Sequence, residues 1–453
     1  MEGVCGLCGN TNVDYKFELK KANLYSCPRC ELMFLWPQSS SGDPARDRNK
    51  KQDAAEESSD MAEIYLQELL AITRRPQGKM LVSGRYVARF VALAERNGFD
   101  VPAAPSVAGY VTLPDDVVSL GPFDVVALFE MLECTRDINR FISEIRRVLV
   151  PGGVLFVRNA GRNGMHPEKF FYFNTQNLEA FLLKSGFHQI LTFPTGTTVC
   201  RKTELPPKTQ KVSIIVPVYN EKATFSRMME ALCSKEIANV DKEIVIVESN
   251  STDGTREDVS KFEACKDVRV IYEERPLGKG HAVREGIKRV SGDIILIQDA
   301  DLEYDLQDYD ELLEPLLKYH RMFVLGSRHT GDWKMRSFTS QKLLADYVNF
   351  GHILFTFLIN VLHGSSLKDP FTMYKVFRKD CLNGLTLESN GFDLDWELVI
   401  KFLRKKYFPL EVPVSYKSRS FSEGKKIHLF KDPLRGLRAL VKYRFCKFRL
   451  TQE

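Results

Sequence analysis

The chain has 453 residues, which is too long for one ordinary hydrophobic core, so we expect two or three domains. Its 44% hydrophobic and 27% charged residues are typical of a soluble globular protein, and its start lacks the basic and apolar stretches of a secretory signal. The net charge of +5 is uneven, because residues 417–453 hold eleven Lys and Arg against three acids. This basic segment suits anionic partners: phosphates, a lipid surface or nucleic acid.

The chain begins with two C-x2-C pairs, Cys5 with Cys8 and Cys27 with Cys30, separated by 18 residues. Four thiolates at this spacing can close a tetrahedral zinc site, and such a zinc is structural because no coordination position stays open. We therefore predict a zinc ribbon over residues 1–37, with a redox dithiol or two unrelated knuckles as alternatives. The ribbon lacks a basic cluster, so we do not expect nucleic acid as a partner. The other six cysteines are scattered among apolar residues, which is typical of reduced thiols in a cytoplasmic protein.

Residues 38–60 are polar and charged, which predicts a linker, and from residue 61 strand-like and helix-like segments alternate. This alternation predicts a parallel α/β sheet over residues 61–205. The segment VVALFEMLECTRDINRFISEIRRVLVPGGVLFVRN resembles the middle of a class I S-adenosylmethionine-dependent methyltransferase, and YFNTQNLEAFLLKSGF resembles the end of that domain. The resemblance implies a Rossmann-like methyltransferase-type fold with S-adenosylmethionine as cofactor.

The stretch that would bind this cofactor departs from the family. Members carry several glycines after the first strand and an acidic residue after the second, which holds the ribose. Here KMLVSGRYVARF offers Gly84 alone, crowded by Arg85 and Tyr86, and no acid follows the second strand in FDVPAAPS. We therefore favour a degenerate, non-catalytic fold that serves docking or oligomerisation. A bifunctional enzyme that also methylates a sugar is the alternative.

A second series of strands and helices follows over residues 206–420. Three strand-like segments, VSIIVPV, KEIVIVE and DIILI, run into polar residues, and PLGKGHAVREGI places Lys279 in a glycine-rich turn that suits phosphate. In open α/β sheets, ligands bind at the carboxyl edge of the strands. We expect one site there to contain Pro217, Tyr219, Glu221, Glu248, Asp253, Lys279, Asp299 and Asp301.

The ordered motifs VPVYNE, STDGT, GKGHAVREG and DAD resemble those of glycosyltransferase family 2, the inverting enzymes with the GT-A fold. Later segments, among them GSR, KDPFTMYKVFR and GFDLDWELVIK, are similar to the branch that includes polyprenyl-phosphate sugar transferases. The resemblance covers about residues 210–445. It implies a nucleotide-diphosphate sugar as donor, a polyprenyl phosphate or a growing surface glycan as acceptor, and a divalent cation.

The chemistry of such a transfer explains the carboxylates. The pyrophosphate leaving group is strongly anionic, and Mg²⁺ or Mn²⁺ held by one or two carboxylates would neutralise it. Asp299 and Asp301 are the candidate ligands, with Gln298 as a neighbour. Glu303 and Asp305 are instead interpreted as exposed polar residues that start the next helix.

The resemblance also implies residues that bind the nucleotide sugar. Those that would contact the nucleoside are Pro217, Tyr219, Glu221, Glu248 and Asp253. Glu248 replaces the usual Asp, which leaves the base preference open. Those that would meet phosphates are Arg328, Arg419 and either Lys425 or Lys426. For Arg419, Lys425 and Lys426, the alternative is a solvated basic face that binds no ligand.

Three carboxylates are candidates for a base that deprotonates an acceptor hydroxyl, namely Asp369, Asp395 and Glu397. The family's base position best matches FDLDWE, which favours Asp395 or Glu397, although Glu397 also fits a structural ion pair. A lipid phosphate is already anionic and needs no base.

The basic segment 421–453 interleaves Leu, Phe and Tyr with Lys and Arg. This pattern suits an interfacial helix on anionic headgroups or a helix packed on its own domain. We interpret the uncharged run Tyr347–Leu367 as a buried or interfacial helix rather than a transmembrane span. The sequence therefore predicts a cytoplasmic glycosyltransferase at the inner face of the membrane, with a zinc-ribbon nucleic-acid-binding protein as the non-enzymatic alternative.

Overall fold

A computed structural model describes the chain over residues 4–19, 22–36, 59–73, 77–85, 87–102, 106–107, 110–111, 121–135, 137–159, 169–203, 209–238, 240–329, 342–418 and 431–445. Its internal contacts divide the chain into two compact units, Met1–Pro206 and Pro207–Glu453. This division falls beside the predicted start of the second α/β domain. The linker predicted at 38–60 lies outside the described residues except for its last two positions.

A small antiparallel sheet opens the first unit. It consists of β1 (Asp14–Leu19), β2 (Ala22–Ser26) and β3 (Met33–Trp36). A fourth strand, β10 (Phe171–Tyr172), pairs antiparallel with β3 although it lies far along the chain. The predicted 1–37 ribbon therefore shares its sheet with the domain that follows it.

The second sheet of this unit carries the Rossmann-like fold. Its strands are β4 (Gly78–Arg85), β5 (Phe99–Asp100), β6 (Ser106–Val107), β7 (Tyr110–Val111), β8 (Phe123–Phe129), β9 (Leu149–Arg158), β11 (Phe187–Thr192) and β12 (Thr197–Lys202). The helices between them are α1 (Ser59–Thr73), α2 (Ala88–Arg96), α3 (Ile138–Val148) and α4 (Thr175–Lys184). The strand order is β11-β12-β9-β8-β4-β7-β6, with β5 beside β4. Parallel β4, β8 and β9 form its centre, as the alternating pattern predicts.

Local sequence explains these elements. Strand β8, FDVVALF, is buried at all but one position, because a central parallel strand is covered on both faces. Helix α3 begins where the side chain of Asp137 accepts the backbone N–H of Arg140, and it buries Ile138, Ile142 and Ile145 along one face.

The second unit is built on a seven-stranded sheet. Its strands are β13 (Gln210–Val218), β14 (Val240–Glu248), β15 (Val268–Tyr272), β16 (Ile294–Ile297), β17 (Phe323–Ser327), β18 (Lys375–Arg378) and β19 (Leu410–Pro413). Its helices are α5 (Phe225–Ser234), α6 (Thr255–Ser260), α7 (Lys279–Arg289), α8 (Tyr309–Leu317), α9 (Lys342–His363), α10 (Asp393–Arg404) and α11 (Lys431–Phe445).

The strand order places the predicted motifs together. The order is β15-β14-β13-β16-β18-β17-β19, in which β15, β14, β13 and β16 are mutually parallel and β18 is antiparallel to both of its neighbours. The carboxyl ends of the four parallel strands therefore meet at one edge, where open α/β sheets bind ligands.

Candidate functional site

A cavity of about 550 Å³ opens at this edge of the second unit. Eight of the residues predicted from the sequence line it: Pro217, Tyr219, Glu221, Lys279, Asp299, Asp301, Arg328 and Asp395. Phe371, Trp396 and Tyr416 add aromatic surface to the wall. The cavity thus combines carboxylates, cations and aromatic rings, which can bind a charged ligand that also carries a ring.

Lys279 reaches into the cavity from the start of α7. Its Nζ lies 2.5 Å from Oδ1 of Asp299. The preceding Gly278 has a φ of 106°, and a Cβ there would collide with the carbonyl oxygen of Asn390, so only glycine lets these segments close on each other. Burial lowers the pKa of Lys279, but the carboxylates of Asp299 and Asp395 outweigh it and hold the pKa above its usual value. Lys279 is therefore a fixed cation.

Asp299 and Asp301 lie in the turn after β16, with Gln298 before them, and could hold a divalent cation. Two carboxylates beside a roomy cavity fit Mg²⁺ or Mn²⁺, which take a few protein oxygens and complete their shell with ligand oxygens and water. Asp301 also accepts the backbone N–H of Glu303 at 3.1 Å. Gln298 does not join them, because its buried amide donates to the carbonyl of Asp299 and accepts the hydroxyl of Tyr309. The donor set that fits the cation is the Asp pair.

The next two acids differ from each other. Asp305 accepts the backbone N–H of Gln307 at 3.0 Å and caps a short 3-10 helix, which agrees with its predicted place at the start of a helix. Glu303 lines the cavity and accepts the hydroxyl of Tyr416 at 2.8 Å. The prediction that Glu303 is only an exposed polar residue is therefore wrong.

Arg328 follows β17 and is held by a buried carboxylate. Its Nε and one Nη each donate to Asp369 at 2.7 Å, and Nε2 of His352 lies 3.1 Å from the same carboxylate. Burial raises the pKa of Asp369, but Arg328 and His352 outweigh it and hold the pKa well below its usual range. Asp369 is thus a fixed anion that orients Arg328, and this geometry argues against its prediction as a base.

The other two candidate bases lie on α10 and face different surroundings. Asp395 lines the cavity, and its Oδ1 lies 3.0 Å from Nζ of Lys375. Glu397 is fully buried, accepts the backbone N–H of Ser389 at 2.7 Å and pairs with Lys401 one helical turn later. Asp395 is therefore the candidate positioned to take a proton from a ligand, whereas Glu397 has the structural ion pair that the sequence allowed.

Two residues predicted to contact a nucleoside bond to their own loop. Glu248 is fully buried, accepts the backbone N–H of Ser251 at 2.6 Å and pairs with Arg256 at 3.1 Å. Asp253 accepts the backbone N–H of Thr255 at 3.0 Å. These bonds hold the turn after β14, and neither carboxylate is among the residues that line the cavity.

Several predicted residues lie outside the described part of the chain. They are Arg419, Lys425 and Lys426 of the phosphate group and Tyr86 of the methyltransferase-like loop. Lys375 and His352, which pair with the carboxylates of Asp395 and Asp369, were not predicted from the sequence. Lys375 was detectable as a charge in the short strand KVFR, whose four residues are all buried. His352 lies in a helix that also holds polar residues such as Asn349 and Asn360, so no signal in the sequence marks it.

The four predicted zinc ligands converge in the first unit. Their sulfur atoms all lie within 4.8 Å of one another, with 3.6 Å between Cys5 and Cys30 and 3.5 Å between Cys8 and Cys27. Sulfurs bound tetrahedrally at about 2.3 Å from one zinc ion would be about 3.8 Å apart. The cluster therefore has the size and the donor chemistry of a four-cysteine zinc site.

The strand ends of the methyltransferase-like sheet carry other residues than the strand ends at the cavity of the second unit. Gly84 has a φ of 128°, and a Cβ there would collide with the carbonyl oxygen of Phe129, so this glycine serves the packing of β4 against β8. Beside it, Glu130 pairs with Arg158 and lies 3.5 Å from Nζ of Lys169. These ion-paired side chains do not form the small-residue cradle that S-adenosylmethionine needs, so the described residues do not fit that cofactor.

Comparisons with known proteins agree with this geometry. Residues 213–385 match the family model described as Glycosyl transferase family 2, and residues 76–157 match the model described as Methyltransferase domain. The chain is 28% identical over 215 residues to a dolichol-phosphate mannosyltransferase of Pyrococcus furiosus, which covers 48% of this chain and 59% of that protein. It is 27% identical over 245 residues to glycosyltransferase AglJ of Haloferax volcanii, covering 53% of this chain and 74% of that protein.

Among solved structures, glucosyl-3-phosphoglycerate synthase from Mycobacterium tuberculosis, in complex with Mn²⁺, UDP-glucose and phosphoglyceric acid, aligns with a TM-score of 0.40 at 19% identity. The alignment covers 52% of this chain and 80% of that one. The motifs at the strand ends and the family match concern the same stretch of the second unit. The chain therefore contains a glycosyl transferase family 2 domain, preceded by a methyltransferase-type domain.

Proposed function

We propose that the second unit transfers a sugar, with inversion, from a nucleotide-diphosphate donor to a polyprenyl phosphate or a surface glycan. One observation carries this proposal: the carboxylates of Asp299 and Asp301 and the cations of Lys279 and Arg328 face the same cavity. A sugar pyrophosphate needs both kinds of group, because carboxylates bind its metal ion and cations neutralise its remaining charge.

Each side chain has a role in this transfer. Mg²⁺ or Mn²⁺ bound by Asp299 and Asp301 would neutralise the leaving pyrophosphate. Lys279 donates to phosphate oxygens, and Arg328 presents a guanidinium plane that Asp369 has already oriented, so little side-chain freedom is lost on binding. Asp395 accepts the proton of an acceptor hydroxyl when the acceptor is a glycan.

The surface of α9 and α11, which contact each other, supports a lipid acceptor. Helix α9 exposes large apolar side chains along one face: Phe350, Ile353, Leu354, Phe357 and Val361. Helix α11 exposes Leu437, Val441 and Phe445 between basic residues. Among the described residues, no helix is both long and apolar enough to span a bilayer. Exposed apolar and basic side chains on two helices in contact suit the interface of an anionic membrane, which we propose to be its cytoplasmic face.

A vesicle experiment tests this location. The full chain should sediment with phosphatidylglycerol vesicles and remain in solution with phosphatidylcholine vesicles. Replacing Phe357 and Val441 by Glu should abolish sedimentation, whereas replacing the exposed Tyr15 of the first unit by Glu should not. Equal sedimentation of all three proteins would refute the proposed surface.

Nucleotide binding tests the main proposal. Calorimetry with UDP-, GDP- and dTDP-sugars should show binding to the full chain that depends on Mn²⁺. Asp299→Asn and Asp301→Asn should each abolish it, whereas Asp305→Asn, which keeps a good helix cap outside the cavity, should retain it. Metal-dependent binding that survives both substitutions would show that the Asp pair is not the metal site.

The match of residues 76–157 to a methyltransferase model favours a second candidate, a bifunctional enzyme. The ion pair of Glu130 and Arg158 and the packing role of Gly84 argue against it. We propose instead that the first unit is a docking or oligomerisation module held together by a structural zinc ion at its four cysteines. Calorimetric heat with millimolar S-adenosylmethionine would refute the non-catalytic assignment.

A further inference from the structure

The two cysteine pairs of the first unit lie on turns with the same backbone pattern, which we call the first knuckle (residues 5–10) and the second knuckle (residues 27–32). In the first knuckle, the N–H of Cys5 donates to the carbonyl five residues later at 2.9 Å, and its carbonyl accepts the N–H of Gly9 at 2.8 Å. Cys27 makes the same two bonds at the same distances in the second knuckle, where Glu31 takes the place of Gly9. Gly9 has a φ of 71° and Glu31 a φ of 60°. Glycine adopts this left-handed conformation freely, whereas a glutamate is strained in it by its Cβ.

The side chain of Glu31 bonds to the domain that follows the ribbon. Its Oε2 accepts a hydrogen bond from Nδ2 of Asn174 at 3.2 Å. Asn174 caps the N-terminus of α4, so this bond joins the second knuckle to the first turn of that helix. Strained residues persist where the surrounding structure holds them in place. The contact with α4 therefore gives a reason for a glutamate at a position whose backbone suits glycine.

Two more asparagines of the same domain bond to the knuckles. Asn177 of α4 is 1% exposed, and its Nδ2 donates to the carbonyl of Cys30 at 3.3 Å while its Oδ1 accepts the N–H of Asn174 at 2.9 Å. Nδ2 of Asn139 in α3 donates to the carbonyl of Gly6 at 3.3 Å. Both knuckles therefore bond to helices of the methyltransferase-type domain, and the second knuckle bonds to the start of α4 twice.

The stretch before α4 reaches the carboxyl edge of the Rossmann-like sheet. Residues 169–177, which we call the edge segment, include β10, the strand that pairs with β3 of the ribbon. At the beginning of this segment, Nζ of Lys169 lies 3.5 Å from Glu130, and the N–H of Phe170 donates to the carbonyl of Glu133 at 2.7 Å. Glu130 directly follows β8, a central parallel strand of the sheet. The edge segment thus joins this edge of the sheet to the second knuckle.

We infer that the zinc ion latches the edge segment onto the carboxyl edge of this sheet, an inference that rests on the proposed zinc site. A structural zinc ion holds its knuckles folded, because four thiolates so close together repel each other without it. The folded second knuckle presents Glu31 to Asn174 and the carbonyl of Cys30 to Asn177. These bonds fix the edge segment, which keeps Lys169 at the edge. Loss of zinc therefore opens this edge while the centre of the sheet stays folded.

Hydrogen exchange of the full chain, followed by mass spectrometry under reducing conditions, tests the latch. After EDTA has removed the zinc ion, amides of the edge segment and of α4 should exchange at least about tenfold faster, because the loss of one hydrogen bond changes a local opening equilibrium by about this factor. Amides of β4 and β8 should keep their rates. Unchanged exchange in the edge segment, or an equal increase in β4 and β8, would overturn the inference while leaving the zinc site intact. A wild-type chain that binds no zinc would refute the proposed zinc site and this inference with it.

Two variants test the contacts while the zinc ion stays bound. Glu31→Gly relieves the strained backbone and removes the bond to Asn174, whereas Asn177→Asp keeps the oxygen that caps α4 and removes the donor to Cys30. Each variant should retain one zinc ion per chain while its edge segment exchanges at least about tenfold faster. Asn97→Asp is the control, because it removes the same kind of donor from a 2.8 Å bond at the exposed end of α2, and it should leave the edge segment unchanged. Wild-type exchange rates in both zinc-loaded variants would overturn the latch.

Discussion

The carboxylate of Asp369 holds the guanidinium of Arg328 through two parallel hydrogen bonds of 2.7 Å, and neither side chain is more than 5% exposed. The guanidinium also lies over the ring of Tyr416, 5.2 Å from its centroid. Such a pair orients the arginine, and its loss is costly because a buried charge is left without a partner.

We therefore expect Asp369→Asn to lower the free energy of unfolding by about 3–5 kcal/mol. The matched control is Asp310→Asn, whose 2.7 Å pair with Lys235 lies at the surface, and it should change this free energy by less than about 0.5 kcal/mol. Urea titration of both variants measures the difference. Equal losses would contradict the orienting role of Asp369.

Lys279 should matter for the pyrophosphate and not for the nucleoside. Lys279→Met removes the cation and keeps most of the side-chain volume, so affinity for UDP should fall about tenfold to a hundredfold while affinity for uridine changes little. Lys288→Met, an exposed lysine on the same helix, is the control and should bind both ligands as the wild type does. Equal losses for UDP and uridine would place Lys279 at the nucleoside instead.

The ring of His363 should make the second unit less stable in acid. Burial, together with the cations of Arg444, Arg404 and Lys406, lowers the pKa of His363 from 6.5 to about 4. Below pH 6.5 the unfolded chain binds a proton at His363 that the folded chain does not bind. The contribution of this residue to the free energy of unfolding is therefore complete above pH 6.5 and is lost as the pH falls toward 4.

His363→Gln removes this titration. Between pH 7.5 and pH 4.5, the wild type should lose about 1–2 kcal/mol more unfolding free energy than the variant, once solvent screening of a half-buried ring is allowed for. Urea unfolding at the two pH values checks the difference. Parallel losses in both proteins would show that His363 does not titrate in this range.

The cysteine cluster should bind one zinc ion per chain. Cys27→Ser removes one of four ligands from a closed site, so the zinc content measured by mass spectrometry should fall from about one ion per chain to near zero. Cys265→Ser, at an exposed position outside the cluster, is the control and should keep the metal. Retention of zinc by Cys27→Ser would place the metal elsewhere.

The position of the cavity could be predicted because its motifs are local. Asp299 and Asp301 come within four residues of the end of the apolar run IILI, and parallel strands bring such ends to one edge. The pairing of Glu397 with Lys401 was also accessible, since the two residues lie four apart on one helix.

Partners brought together by tertiary structure could not be predicted in this way. The carboxylates of Asp369 and Asp395 look alike in the sequence, and only the fold shows that one faces Arg328 and the other the cavity. Hydrogen bonds also connect Ser249, Glu273 and His281, which lie after two different strands and in a helix, so no motif spacing marks them. The same is true of β10, which completes the sheet of the ribbon.

The variant Asp395→Asn distinguishes the two proposed acceptors. It lines the cavity beside Lys375, whereas Glu397 is enclosed by backbone N–H groups and Lys401. If a sugar hydroxyl is the acceptor, Asp395→Asn should lower turnover at least about a hundredfold and leave donor affinity unchanged, because the base acts only in the chemical step. If a polyprenyl phosphate is the acceptor, its oxygen is already anionic, and the same variant should retain most of its turnover.

Glu397→Gln should reduce stability by about 3 kcal/mol with either acceptor, because it leaves Lys401 buried without a charged partner. A hundredfold loss of turnover in a folded Glu397→Gln variant would return the role of base to Glu397.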